Sequence, residues 1–162
     1  ESTLKLLADR LRSQNLTIVR RFETERLVLA RPRQLNQVFL NLLDNAVRAS
    51  PRNGQIYLSL EETKRGTIVL RIGDEGSGVP AEHRERIFDP FFTTREPGEG
   101  TGLGLYLSRQ IIESLGGTLT VGNRSTGGAE FAVELPLSSS DEAQGSPSAT
   151  SMPAIRRHGA VA

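Results

Sequence analysis

Three clusters of residues in this sequence have types and spacing suited to chemistry. Asn41, Asn45 and Arg48 recur at i, i+4 and i+7. On a helix turning about 100° per residue they form one polar stripe. An amide oxygen is a ligand that Mg²⁺ accepts beside waters and phosphates, and an arginine one turn on suits a phosphate. The run "GDEGSGVP" sets Asp74 just after a strand-like segment, followed by Gly76 and Gly78. A carboxylate only accepts hydrogen bonds, which suits an exocyclic amine such as adenine N6, and glycines let a flat ring approach the backbone. The run "GEGTGLGL" places Gly98, Gly100, Gly102 and Gly104 before and into a helical pattern. A helix start presents unpaired N–H groups that attract anions, and glycines let the backbone curl around phosphate oxygens.

Each cluster also has an ordinary structural explanation. The stripe fits a solvated helix flank, the acid fits an Asp-Gly turn, and the glycines fit a flexible hinge. Two better-known phosphate motifs are absent. The G-x-G-x-x-G fingerprint fails because Leu105 takes its last place, and G-x-x-x-x-G-K-[ST] does not occur.

The elements that must hold these residues follow from periodicity. "TLKLLADRLR" predicts a short helix over 3–12. "LTIVRRF" and "RLVLA" (26–30) read as strands. Arg31-Pro32 opens the clearest helix, 32–50, with Leu35, Val38, Phe39, Leu42, Leu43, Ala46 and Val47 on one face. "QIYLSLEE" and "TIVLRIGD" alternate across "TKRG" and predict an antiparallel hairpin. From Asp74 to Gly102 the pattern breaks, apart from a short helix expected near 81–88. A second long helix is expected over 102–115, with Leu103, Leu107, Ile111 and Leu115 in line and Gly116-Gly117 as its stop. "TLTVGN" and "AEFAVELP" read as two closing strands. The remainder, 138–162, is rich in Ser, Ala and Pro without apolar period and is expected to be disordered. The resulting fold class is α+β, a two-layer sandwich. About three helices should pack on a mixed, mainly antiparallel sheet of five strands.

Composition bounds the function. The 162 residues carry 36% hydrophobic and 24% charged side chains, which is globular. A net charge of +1 gives no field that argues for nucleic acid or an anionic membrane as partner. With no cysteine, disulfides and thiolate metal sites are excluded. His83 and His158 lie far apart, against a zinc cluster. No apolar run approaches the roughly 20 residues of a membrane span. On these features the chain reads as one soluble domain.

The order "NQVFLNLLDNAVRAS", "DEGSGVP", "IFDPFFTT" and "GEGTGLGL" resembles the four motif boxes of sensor histidine kinase catalytic domains. These belong to the wider ATPase superfamily of gyrase, Hsp90, MutL and histidine kinases. The resemblance covers about residues 25–136 and is strongest to bacterial nitrogen- and dicarboxylate-type sensor kinases. It implies the Bergerat-type fold, with ATP and Mg²⁺ as ligands. It also implies residues 1–137 as the catalytic domain and a mobile ATP lid at about 80–102. Asn45 would coordinate Mg²⁺, Asn41 would lie beside the triphosphate, and Arg48 would touch phosphate, the last two as catalytic groups. Asp74 would hold adenine N6, with Gly76, Gly78, Val79 and Ile87 lining the base pocket. Gly100, Gly102 and Gly104 would cradle the phosphates, with Thr101 also at the nucleotide, Thr94 and Arg95 in reach, and Leu103 lining the pocket. Phe88, Phe91 and Phe92 would anchor the lid against the phosphoacceptor helices. Core packing explains Phe88, Val79, Ile87 and Leu103 equally.

In the gyrase-like and Hsp90-like branches a glutamate stands where Asn41 does. An amide cannot take a proton from water, so slow hydrolysis and preserved ATP are expected, as transfer requires. The acceptor histidine of the family sits in a two-helix dimerisation hairpin, which has no counterpart here. His83 is read as a solvated lid residue and His158 as incidental. The resemblance therefore implies a monomeric fragment that phosphorylates the dimerisation helices of a homodimeric parent. A response regulator would follow downstream, and the domain would be the cytoplasmic part of an inner-membrane sensor. A serine kinase of the same fold, or a nucleotide-sensing module without transfer, are the alternatives.

Overall fold

A computed structural model of the chain describes residues 2–24, 32–94 and 100–137, with side chains from Leu7 onward. Three helices, α1 (Ser2–Ser13), α2 (Pro32–Ala49) and α3 (Gly104–Ser114), pack over a five-stranded sheet. The strands are β1 (Thr17–Phe22), β2 (Gln55–Glu62), β3 (Thr67–Gly73), β4 (Thr118–Asn123) and β5 (Ala129–Pro136). Their order across the sheet is β1-β2-β3-β5-β4. β1 runs parallel to β2 and every other pair is antiparallel, so the sheet is mixed as expected. The expected strand at 26–30 and the tail 138–162 lie outside the described residues.

Alternation decides which face of the sheet is buried. Ala129, Phe131, Val133 and Leu135 of β5 are buried at every second position, as are Ile56 and Leu58 of β2. All but Ala129 share one core with Val38, Leu42, Leu43, Ala46 and Val47, the buried face of α2, with Leu35 and Phe39 partly buried beside it. The opposite face of the sheet is polar. There Arg71 on β3 pairs with Glu61 on β2 at 3.1 Å and with Glu130 on β5 at 3.4 Å, all part-exposed. Such surface pairs order side chains more than they stabilise the fold.

Two expectations are corrected. The segment near 81–88 is no continuous helix but two 3₁₀ turns, Ala81–His83 and Arg86–Phe88. Arg84 N–H donates to Ala81 O and Asp89 N–H to Arg86 O, the short closure that ends after one turn. The core stripe of α3 is also corrected: Ile111 and Leu115 pack against the core as expected, but Leu107 does not belong to it. Leu107 is 40% exposed, whereas Ser108 and Ile112 are fully buried. The reason is that α3 must face α2 and β4 together, and Ser108 is the small side chain at the α2 contact.

Candidate functional site

The three clusters meet along the C-terminal half of α2. Asn41 Nδ2 donates to Gly104 O and to Ser108 Oγ, both at 3.3 Å. This joins the polar stripe of α2 to the first turn of α3. At the C-terminal end of α2, a Cβ on Gly76 would lie 2.5 Å from the Ala49 carbonyl oxygen. Only a glycine lets the loop after Asp74 lie against the last turn of that helix. The amide stripe therefore runs from the glycine-rich start of α3 toward the acid at the end of β3.

Asp74 is 2% exposed. Its Oδ1 accepts from Gly76 N–H at 2.8 Å and from Ala129 N–H at 3.1 Å. Among the described residues no donor reaches Oδ2. Burial pushes this carboxyl above the ordinary carboxylate range, opposed by the Ala129 and Gly76 N–H groups and the Arg124 guanidinium. A buried carboxylate with one bonded and one open oxygen is arranged to receive a donor from outside the chain.

Two residues that the sequence did not single out hold this loop. Asn123, at the end of β4, clamps Val79 from both sides. Its Oδ1 accepts from Val79 N–H at 2.8 Å and its Nδ2 donates to Val79 O at 3.1 Å. Gly78 sits beside it at φ +76. Arg124 donates from Nη1 to the Asp74 carbonyl at 3.0 Å and lies 3.7 Å above the Tyr57 ring. The Tyr57 hydroxyl donates to Glu75 Oε1, and Gln55 N–H to Oε2. The Tyr57 bond, then the Gln55 bond, holds the Glu75 carboxyl below its ordinary range. Ser108, the partner of Asn41, was likewise missed, although a serine directly after Leu105, Tyr106 and Leu107 was a visible signal.

The glycine-rich stretch ends at a fixed root. Gly102 has φ +65, and a Cβ there would lie 2.5 Å from the Phe91 carbonyl carbon. Phe91 N–H donates to Gly102 O at 3.1 Å, with Phe91 itself at φ +66. The positive φ at Gly102 is why α3 begins at Gly104 rather than at 102. No side chain of the N-cap residue Leu103 caps α3. Its first-turn N–H groups are thus without the usual side-chain acceptor. Thr101 Oγ1 accepts from Leu103 N–H at 3.4 Å, and Gly100 begins this described stretch.

The remaining expected residues separate into core and surface. Ile87 and Phe88 are buried in the core, with Val79 and Phe92 packed against it. Arg109 lies 5.2 Å above the Phe88 ring and Arg86 4.9 Å above that of Phe92. Phe91 is 73% exposed. His83 is only part-exposed: its ring packs edge-on against Phe92 at 5.4 Å and its Nδ1 is enclosed. Thr94 is exposed, and Arg95 and Gly98 lie outside the described residues. Arg48 donates from Nε to Asp44 Oδ2 at 2.7 Å, and Asn45 lies on the same stripe.

A family model described as "Histidine kinase-, DNA gyrase B-, and HSP90-like ATPase" matches residues 30–139. The two-component sensor PprA of Pseudomonas aeruginosa is 39% identical over 152 residues, 90% of this chain and 16% of PprA. The chain thus spans a small part of that relative. Among solved structures, the nucleotide-free catalytic domain of histidine kinase ThkA superposes with a TM-score of 0.73 at 34% identity, covering 83% of this chain and 88% of ThkA's. Full-length ShkA in complex with AMPPNP gives 0.71 at 29% identity, covering 83% of this chain and 28% of ShkA. ThkA in complex with the response regulator protein TrrA gives 0.69 at 31% identity, covering 83% and 38%.

Proposed function

The chain belongs to the histidine kinase-, DNA gyrase B- and HSP90-like ATPase family, and on that premise we propose that it is the catalytic domain of a sensor histidine kinase. It binds Mg-ATP and passes the γ-phosphoryl to a histidine on a separate helical domain. The observation that carries this reading is Asp74, buried, bonded through Oδ1 to its own backbone and open at Oδ2. An exocyclic amine is the donor that this oxygen suits, and the glycines beside it leave room for a flat ring.

The rest of the site fits a nucleotide triphosphate. Asp74 holds N6, with Gly76, Gly78, Val79 and Ile87 around the base. The stretch from Gly100 through Thr101, Gly102 and Leu103 to the start of α3 at Gly104, which has no side-chain cap, presents N–H groups to phosphate oxygens. Asn45 offers an amide oxygen to Mg²⁺, Arg48 offers a cation to phosphate, and from the lid at about 80–102 Arg95 offers a second cation and Thr94 a hydroxyl. Bound Mg²⁺ neutralises the charge of the transferring group, and the protein contributes positioning. Asn41 ties α2 to α3 and is no general base, so water near it is not activated. The exposed Phe91 ring meets the phosphoacceptor helices, while Phe88 and Phe92 anchor it to the core. A downstream response regulator is supported by the ThkA–TrrA complex. The parent is proposed to be a homodimeric inner-membrane sensor with this domain in the cytoplasm; no helix of the described residues is long and apolar enough to cross a membrane.

The test is incubation with γ-labelled Mg-ATP and the two-helix phosphoacceptor domain of the parent. Acid-labile, base-stable label on the hairpin is the expected result. Acid-stable label would instead indicate a serine kinase. Tight Mg-ATP binding without label on any acceptor would indicate a nucleotide sensor.

A further inference from the structure

Asp44 lies on the same polar stripe as Asn41, Asn45 and Arg48, yet nucleotide binding as described gives it no task. Its two carboxylate oxygens are divided between two helices. Oδ1 accepts from Arg10 Nη1 of α1 at 3.0 Å, and Oδ2 accepts from Arg48 Nε of α2 at 2.7 Å. The three side chains are 28–34% exposed, so these bonds can exchange. The contact to Asp44 uses Nε of Arg48, and among the described residues no acceptor meets its two Nη groups. Those are the donors that form the planar fork for an oxyanion. Asp44 thus holds Arg48 through Nε and leaves the two Nη donors of the fork available.

An uncompensated carboxylate in this place would repel a triphosphate. One unit charge a few ångströms away is felt, because screening at 0.1 M salt acts over about 10 Å. Arg10 offsets that charge from the other side. We propose that Asp44 is a positioning residue for Arg48 and that Arg10 of α1 cancels its charge, so that the placement of α1 sets the affinity for the phosphates. The inference rests on the nucleotide reading of the site. Its consequence is reciprocal: displacing α1 from Asp44 weakens nucleotide binding, and bound nucleotide favours the docked α1.

The experiment is calorimetric titration of the whole chain with Mg-ATP, Mg-ADP and AMP at low and high salt. Arg10→Ala should weaken Mg-ATP binding about 5–10-fold, Mg-ADP less and AMP hardly, with the loss shrinking at high salt. Arg10→Lys, which keeps the charge, should stay within about 2-fold of wild type. In an Asp44→Asn background, Arg10→Ala should change affinity less than about 2-fold, since no charge is left to cancel. An equal loss for all three nucleotides, or the same penalty in both backgrounds, overturns the proposal and makes Arg10 a packing residue. A wild-type chain that binds no Mg-ATP overturns the nucleotide reading itself, and is distinguished by that first titration.

Discussion

Asp74 concentrates the logic of the site in one side chain. Replacing it by Asn keeps an acceptor for Gly76 and Ala129 but turns the open oxygen into a donor. Asp74→Asn should therefore fold and lose nucleotide affinity by about 100-fold or more, the scale of losing a charge-assisted bond and setting two donors face to face. Its stability should change in the opposite sense. A buried acid whose folded value is raised binds more protons folded than unfolded, so stability falls as pH rises from the ordinary carboxylate range through the raised value. The variant lacks that slope. Urea unfolding should find it as stable as wild type or more so at pH 7, with the difference shrinking toward pH 4; a strongly destabilised variant would mean that ionised Asp74 holds the fold together. The type and spacing of Asp74, Asn41 and Asn45 were legible in the sequence itself. Asn123 and Arg124 were not, since nothing local marks the end of a strand 44 residues away as the clamp on Val79.

The elements divide by how locally they are specified. α2 was readable nearly residue by residue, because a 3.6-residue period is written into its own sequence. α3 was found, with Ile111 and Leu115 on its core side, but Leu107 was placed there and Ser108 and Ile112 were not, because its burial depends on what α2 and β4 present to it. The root of the glycine-rich stretch is a feature of this kind. Gly102 holds φ +65 with the Phe91 backbone against it, so a side chain would be strained and would clash at once. Gly102→Ala should cost about 1–3 kcal/mol of stability, measured by urea unfolding. It should also displace the start of α3, and a Mg-ATP titration should show weaker binding. Wild-type affinity in that variant would separate the root from the phosphate site.

Taken whole, the described residues form a mixed sheet with helices on one face and the candidate site along the C-terminal half of α2. A ligand seated there stabilises only the folded state. Mg-ATP at 100 times its dissociation constant should add about 2.7 kcal/mol, and a thermal melt should rise by about 7–10 °C for a domain of this size. Asp74→Asn should show little of that shift; an equal shift would place the nucleotide elsewhere. The sequence alone carried the α+β class, the strands and helices with clear periods, the order of the four motifs and the residue types able to bind a nucleotide. These rest on short-range stereochemistry and on side-chain chemistry, both present in the unfolded chain. Assembly settled the rest. It inserted β5 between β3 and β4, laid Gly76 against Ala49, set His83 edge-on to Phe92 and divided Asp44 between Arg10 and Arg48. Those contacts join residues far apart in the chain, and their energies exist only once the core has closed the loops between them.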